Sequence, residues 1–216
     1  MADLNAFEKS QDVAVVNTDR KMRVAIIGTG WIADSHIDSY KRMPDVEIVA
    51  GCGIHNGGDE ETEHSGLHTF HVGKNARGKY VEKHYGEGDG NGKNIMNPHT
   101  VVELAEGAYM EMETTQIKGV DSTKRKTEAI LESKSTLIVH EKIMTHGEQY
   151  AKTTFEVDLN GKDCGTHVIS RSVACDNSKQ LFVSLINGNN VCSGHTECDA
   201  IIMDSARVEA VPKISA

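Results

Sequence analysis

Apolar and polar residues alternate along much of the chain, and in its second half this alternation recurs in units of similar length. Each unit has an extended apolar run, a corner rich in Gly, Asn and Lys, and a second extended run. The corners near Ala76, Ala108, Ser135, Cys164 and Val191 follow one another at intervals of 27 to 32 residues. A repeated unit that cannot bury its apolar side alone buries it against its neighbours, so these repeats predict a stack of coils. The repeated segments are TFHVGKNARGKYVEKH, TVVELAEGAYMEMETT, TEAILESKSTLIVHEK, TTFEVDLNGKDCGTHVIS, LFVSLINGNNVCSGHT and AIIMDSARVEAVPKI.

The repeats are predicted to consist of strands rather than helices. Phe155, Val157 and Leu159 are separated by polar residues, which is the period-two pattern of a strand with one buried face. The Asn160-Gly161 pair could form the tight turn of an antiparallel hairpin, so a β-sandwich is the alternative. The corner at Gly107 does not suit such a turn, and a spacing near 30 fits one two-strand coil per repeat. We therefore expect an all-β core folded as a parallel β-helix.

The composition argues against several classes of function. The 216 residues carry a net charge of −9 and only 5% aromatic residues, whereas a protein that grips nucleic acid is usually basic. No apolar run approaches the roughly 20 residues that span a bilayer, and the first residues lack the basic-then-apolar order of a secretory signal. The five cysteines follow no disulfide-framework spacing, which suits a reducing compartment. We expect a cytoplasmic protein that binds neither nucleic acid nor membranes.

A different pattern occupies the N-terminal quarter of the chain. The apolar run of residues 22–27 predicts a buried parallel strand, and it leads into a G-x-G-x-x-A turn that contains Gly28, Gly30 and Ala33. A helix over about residues 32–43 and a second strand over residues 46–50 complete a βαβ unit, which places backbone N–H groups around a pyrophosphate. The sequence thus predicts a flexible extension over residues 1–21 and a Rossmann-type α/β segment over residues 22–55.

Residues 22–52 resemble the opening of the glucose-fructose oxidoreductase/inositol dehydrogenase (Gfo/Idh/MocA) family, including His36 within GWIADSHIDSY. The resemblance implies an NAD(P) cofactor, with Gly28 and Gly30 allowing close backbone approach and Ala33 allowing tight helix packing. However, residues 51–53 read Gly-Cys-Gly where such a site needs an acidic residue to hold the ribose. An NAD(P)-dependent oxidoreductase fragment is therefore the alternative prediction for function.

A longer set of colinear segments extends from about residue 60 to the end of the sequence. The segments are SGLHTFHVGKNARGKYVEKHYGEGDGNGKNIMNP, EGAYMEMETTQIKGVDSTKRKTEAIL, MTHGEQYAKTTFEVDLNGK, THVISRSVACDNSK and CSGHTECDAIIMDSARVEAVPKI. Together they resemble the core of the SufB/SufD proteins, the scaffold subunits of the SUF iron–sulfur cluster assembly machinery. The resemblance implies a right-handed parallel β-helix over residues 56–216, in agreement with the repeats.

The same resemblance implies a function and partners. We expect a SufD- or SufB-like scaffold component that is not catalytic by itself and that holds an iron–sulfur cluster transiently. Its implied partners are a SufC-type ATPase and a second SufB/SufD-type subunit, in a hetero- or homodimer.

The densest set of metal-capable side chains is the C-x-x-H-x-x-C run formed by Cys192, His195 and Cys198. Thiolate and imidazole are ligands that iron and iron–sulfur clusters prefer, so this run is the candidate iron–sulfur or sulfur-acceptor site. Residues three apart on one strand face opposite ways, so all three converge only if Gly194 bends the chain. Otherwise both cysteines face the interior and His195 lies on the surface. The resemblance places Cys198, within Thr-Glu-Cys-Asp, at a cysteine common in SufB sequences.

Two departures from the SufB/SufD pattern favour a supporting, SufD-like role. The cysteine most strongly linked to cluster assembly in SufB would fall near Arg207 in this sequence. Family members also continue past the Val-Pro-x-Ile segment into a His-Glu motif and helices that dock SufC, whereas this sequence ends at Ala216. We therefore expect a β-helix core that is truncated at its C-terminus. A purely structural β-solenoid without a ligand stays open as a third interpretation.

Overall fold

The computed structural model describes residues 22–27, 37–44, 46–52, 62–85 and 94–216. The chain divides into two compact units, Met1–His55 and Asn56–Ala216.

The first unit contains a parallel pair of strands. Strand β1 (Met22–Ile27) pairs with strand β2 (Val46–Cys52), from Met22 opposite Val46 to Ile27 opposite Cys52. Residues 37–41, between the two strands, are helical. The predicted order of strand, helix and parallel strand is therefore present.

The predicted cofactor turn of Gly28, Gly30 and Ala33 lies outside the described residues, as does the predicted extension over residues 1–21.

The described part of the second unit consists mainly of strands. Alternate residues of the strands Ser122–Leu131 and Tyr150–Leu159 are buried and their neighbours are more exposed, which is the period-two pattern that predicted these segments as strands. The strands are β3 (Thr62–His64), β4 (Leu67–Val72), β5 (Arg77–Tyr85), β6 (Asn94–Met96), β7 (His99–Leu104), β8 (Tyr109–Lys118), β9 (Ser122–Leu131), β10 (Thr136–Thr145), β11 (Tyr150–Leu159), β12 (Cys164–Ala174), β13 (Lys179–Gly188), β14 (Cys192–Ile202) and β15 (Arg207–Ser215).

These strands form two parallel sheets, and from β7 onward successive strands alternate between the sheets. The first sheet has the order β14-β12-β10-β8-β5, and the second contains β15, β13, β11 and β9, followed by β6 with β7 and then β3 with β4. Each strand pairs with the strand one coil away, as Thr136 with Gly165 and Cys164 with Cys192. The five strands of the first sheet thus belong to five coils, and the predicted parallel β-solenoid is confirmed.

The corners between strands share one backbone conformation. Left-handed φ angles of 56 to 59° occur at Asn75, Lys134, Asp163, Asp176 and Asp204. Asn and Asp adopt this conformation more readily than other non-glycine residues, which explains why the corners are rich in them. The corners also stack closely, because a Cβ added at Gly161 would lie 1.9 Å from the Ser133 backbone nitrogen. Gly161 is therefore required by the approach of the neighbouring coil.

The interior is built from ladders of residues in register on successive coils. Leu104, Leu131 and Leu159 form one such ladder, and none is more than 1% exposed. The first sheet has a second kind of ladder, in which polar residues face the interior, and it contains one of the predicted site residues.

Candidate functional site

The structure separates the three residues of the predicted C-x-x-H-x-x-C site. Cys192 and Cys198 face the interior and pack against the buried core, whereas the half-exposed His195 lies on the outer surface. Because β14 is extended, the six residue steps from Cys192 to Cys198 correspond to roughly 20 Å. Gly194 does not bend the strand enough to bring them together, since β14 keeps its register with β12 throughout. The ligand role of the three residues stays a prediction.

Cys198 ends a column of inward-facing residues that crosses all five coils. The column follows the register of the first sheet, and neighbouring members lie side by side on paired strands. Its members in order are Glu82, Thr114, Glu141, Ser170 and Cys198. Four of the five are polar, in an interior that also holds other buried polar side chains such as Arg125, Thr127 and Gln180.

The column begins with a buried ion-pair cluster. The two carboxylate oxygens of Glu82 lie 2.5 Å from Arg125 Nη1 and 2.5 Å from His84 Nε2. All three side chains are less than 10% exposed. Burial raises the pKa of the Glu82 carboxyl, but the hydrogen bond from His84 and the Arg125 charge outweigh it and lower the pKa to about 2. Glu82 is therefore a carboxylate at neutral pH.

The middle of the column holds a second carboxyl in a different environment. Ser170 Oγ donates a hydrogen bond of 2.8 Å to Glu141 Oε2, and Glu141 Oε1 has no hydrogen-bond partner. Burial raises the pKa of Glu141, although the Arg125 charge and the Ser170 hydrogen bond oppose that shift. The two buried carboxyls are thus shifted in opposite directions, a pattern that occurs often at functional sites.

The pKa of the thiol at the end of the column is raised above its ordinary value. Burial raises the pKa of Cys198, and the nearby Glu141 and Asp199 carboxylates raise it further. A thiolate, not a thiol, is the form that attacks sulfur or binds a metal. A smaller fraction of Cys198 than of an ordinary cysteine is therefore thiolate at a given pH.

The space beside Cys198 is narrow. A cavity of about 10 Å³ lies among Glu141, Thr153, Ser170, Gln180 and Cys198. That is close to the smallest volume that accepts one water molecule. The space as it stands therefore admits about one water-sized group.

A second thiol pair, which the sequence did not suggest, lies elsewhere in the interior. Cys164 of β12 is directly opposite Cys192 of β14, and both face inward. Cys164 is 2% exposed, and its Sγ donates to the Gly161 carbonyl oxygen at 3.0 Å. Burial raises the pKa of Cys164, and the proximity of Cys192 adds to the shift. The 28-residue interval between the two cysteines, which equals one coil, is the signal in the sequence that could have identified the pair.

Several large apolar side chains near the end of the sequence are exposed. Among the described residues, β14 and β15 each pair with a strand on one side only. Large exposed apolar side chains gather on these two strands and the corner between them, namely Ile201, Ile202, Met203, Val211 and Ile214.

Within the described part of the chain, no group of three or more His, Cys, Asp or Glu side chains is arranged to hold a metal ion. No helix in that part is long and apolar enough to cross a membrane.

Comparison with known proteins agrees with the family that the sequence resembles. The family described as "SUF system FeS cluster assembly, SufBD core domain" matches residues 40–216. An iron–sulfur cluster assembly SufBD family protein of Methanocaldococcus jannaschii is 33% identical over 143 residues, which are 65% of this chain and 45% of the relative. This chain thus spans less than half the length of that relative.

Neither match supports the nicotinamide oxidoreductase alternative, which rests on the resemblance of residues 22–52 alone. The family match includes β2, the second strand of that segment, and all of the described solenoid. The chain therefore belongs to the SufBD core family of the SUF iron–sulfur cluster assembly system.

Proposed function

We propose that this chain is a SufD- or SufB-like scaffold component of the SUF system that has no catalytic turnover of its own. The observation that carries the proposal is the polar column that crosses five coils and ends at the Cys198 thiol. Buried polar groups cost stability unless they are fully paired, and Glu141 Oε1 has no partner. Thr114 Oγ1 of the same column also has no partner, so these two positions cost more than apolar residues would, which favours a functional reason for the column over a purely structural solenoid.

The cargo that fits the column is a single sulfur atom. In the proposed reaction the Cys198 thiol takes the outer sulfur of a donor persulfide, so that a sulfur–sulfur bond forms at Cys198 and the donor's own sulfur–sulfur bond breaks. The donor leaves as a thiol, and no net oxidation or reduction occurs. The cavity of about 10 Å³ supports one transferred atom rather than a preformed cluster. A transient cluster would then form from sulfur delivered to Cys198.

The proposed partners are a second SufB/SufD-type subunit and a SufC-type ATPase. The match to the SUF cluster-assembly family supports partners within that machinery. We propose that the protein works in the cytoplasm. Its four described cysteines are free thiols, which suits that compartment.

The proposal is tested by loading the reduced protein anaerobically with a small-molecule persulfide and measuring its mass. We expect the wild-type chain to gain sulfur, Cys198→Ala to lose that gain, and Cys175→Ala, a half-buried cysteine outside the column, to keep it. Subsequent addition of ferrous iron should give thiolate-to-iron absorbance in the wild type only where sulfur was loaded. Equal loading of the wild type and Cys198→Ala would overturn the assignment of Cys198 as acceptor. A failure of all variants to load would favour a structural subunit.

A further inference from the structure

Two histidines form an aligned pair on the outer surface of the first sheet. His167 of β12 is directly opposite His195 of β14, and the ring centroids are 5.3 Å apart with an angle of 46° between the ring planes. His167 points outward, because Thr166 and Val168 on either side of it are buried. His195 is its register partner on β14 and points the same way. His195 is 51% exposed, so solvent reaches the pair.

We propose that His167 and His195 bind a divalent transition-metal ion on the outer face of the solenoid. Neighbouring strands are about 4.8 Å apart, so two side chains in register on one face lie close enough to bind the same metal ion. Imidazole suits copper, nickel, zinc and iron, whereas magnesium and calcium require oxygen ligands. Both histidines are fixed on long paired strands, so little ordering is needed when the ion binds.

Glu197 acts on the pair as an orienting group. Its Oε2 lies 3.4 Å from His195 Nε2, and its Oε1 accepts a hydrogen bond of 3.2 Å from Arg171 Nη2. A carboxylate that accepts the N–H of one ring nitrogen keeps a lone pair on the other ring nitrogen, which is the usual support for a metal-binding histidine. Arg171 holds Glu197 in place and balances its charge, so Glu197 is a positioning residue rather than a third ligand.

The pair supplies two protein ligands and leaves the remaining coordination positions to water. No third ligand joins it in the described part of the chain, so the site should bind and release its ion readily. It does not depend on the proposed sulfur chemistry, because His195 faces away from the interior in which Cys192 and Cys198 lie. Loss of metal binding at the histidine pair would leave sulfur transfer to Cys198 intact, and loss of sulfur transfer would leave metal binding intact.

The test titrates the reduced full chain with Ni²⁺ by calorimetry and compares His167→Gln, His195→Gln and the control His146→Gln. His146 is an exposed histidine in the corner after β10, outside the pair. We expect one nickel ion to bind in the wild type and in His146→Gln, and at least tenfold weaker binding in each of the other variants. Glu197→Gln should weaken binding by about tenfold, because it removes the orienting carboxylate without removing a ligand.

Electron paramagnetic resonance with Cu²⁺ provides a readout that a merely structural role would not change. We expect two nitrogen ligands in the wild type, one in each single His variant at the pair, and two in His146→Gln. Nickel affinity that is unchanged in both His167→Gln and His195→Gln would overturn the proposal. So would copper with sulfur ligands, or nickel binding that is lost in Cys198→Ala, because either result would move the metal to the interior thiols.

Discussion

The two buried glutamates of the column show that the same residue type can stabilise or destabilise one interior. Glu82 receives hydrogen bonds from Arg125 and His84, so its charge is compensated. Glu141 receives one from Ser170 and has an oxygen without a partner. Removing water from a carboxylate costs several kcal/mol unless partners replace the lost hydration. The charge on Glu82 therefore favours the folded state, whereas a charge on Glu141 opposes it.

Replacing Glu82 by Gln should destabilise the protein at neutral pH and have less effect in acid. The folded-state pKa is about 2 against an ordinary value of 4.5, which corresponds to about 3 kcal/mol. Because the pKa is lowered by folding, this contribution is complete above pH 4.5 and is lost as the pH falls toward 2. Urea denaturation at several pH values measures it. Glu132→Gln, at an exposed corner, is the control and should match the wild type; a Glu82→Gln deficit that is the same at every pH would contradict the prediction.

Replacing Glu141 by Gln should have the opposite pH dependence. Folding raises the pKa of Glu141 above 4.5, mainly through burial, so the folded protein holds this proton more tightly than the unfolded chain does. Its contribution is complete below pH 4.5 and is lost as the pH rises through the raised pKa. Glu141→Gln keeps a partner for Ser170 and removes the charge, so its stability relative to the wild type should increase with pH over that range. Thermal unfolding of both variants across that pH range measures the difference, with the exposed Glu148→Gln as the control. Equal pH dependence of stability in Glu141→Gln and Glu148→Gln would contradict the prediction.

At the scale of the element, strand parity decides which substitutions matter. Successive residues on β9 alternate between core and surface, as Leu131 at 0% and Ile130 at 41% exposure demonstrate. Leu131 lies between Leu104 and Leu159 in an apolar ladder, and its neighbours are held by paired strands that have little freedom to collapse. A cavity at this position would therefore stay unfilled.

Leu131→Ala should cost about 2 to 5 kcal/mol of unfolding free energy, because it removes buried apolar atoms and leaves a cavity. Ile130→Ala, the adjacent residue on the outer face, should cost about 1 kcal/mol or less. Urea denaturation of both variants measures the difference. Similar losses in the two would mean that the parity of β9 is reversed.

Parity also explains how far the sequence could predict the site. The alternation around Phe155 and Leu159 was sufficient to predict strands, and the corner spacing was sufficient to predict parallel coils. The sequence left two arrangements of the C-x-x-H-x-x-C run open, and in one of them Cys198 faces the interior, as it does in the structure. The neighbours of Cys198 could not be predicted, because corner intervals vary from 27 to 32 residues and a slip of one residue turns a side chain to the other face. Ser170, Glu141 and the histidine opposite His195 became evident only from the register.

At the scale of the whole molecule, the solenoid joins local units into one interior. Each coil contacts only its neighbours, so a polar residue that is isolated in one coil becomes part of a continuous column when five coils stack. The same arrangement makes the terminal coil different from the others. Ile214 is 54% exposed on β15, whereas Ile186, one coil earlier at the register partner on β13, is 1% exposed. Position along the stack, rather than residue type, accounts for the difference.

That difference leads to a prediction about association. If a second copy or a related subunit covers the last coil, a charge at Ile214 should prevent the contact, because a lysine ammonium would have to lose its hydration there. We expect sedimentation of the wild-type chain to show a concentration-dependent increase in mass that Ile214→Lys removes. Ile130→Lys places the same charge on the outer face of β9 and should leave association unchanged. A wild-type chain that stays monomeric both alone and with a SufB/SufD-type partner, or an Ile214→Lys variant that still associates, would show that this end of the solenoid is not the contact surface.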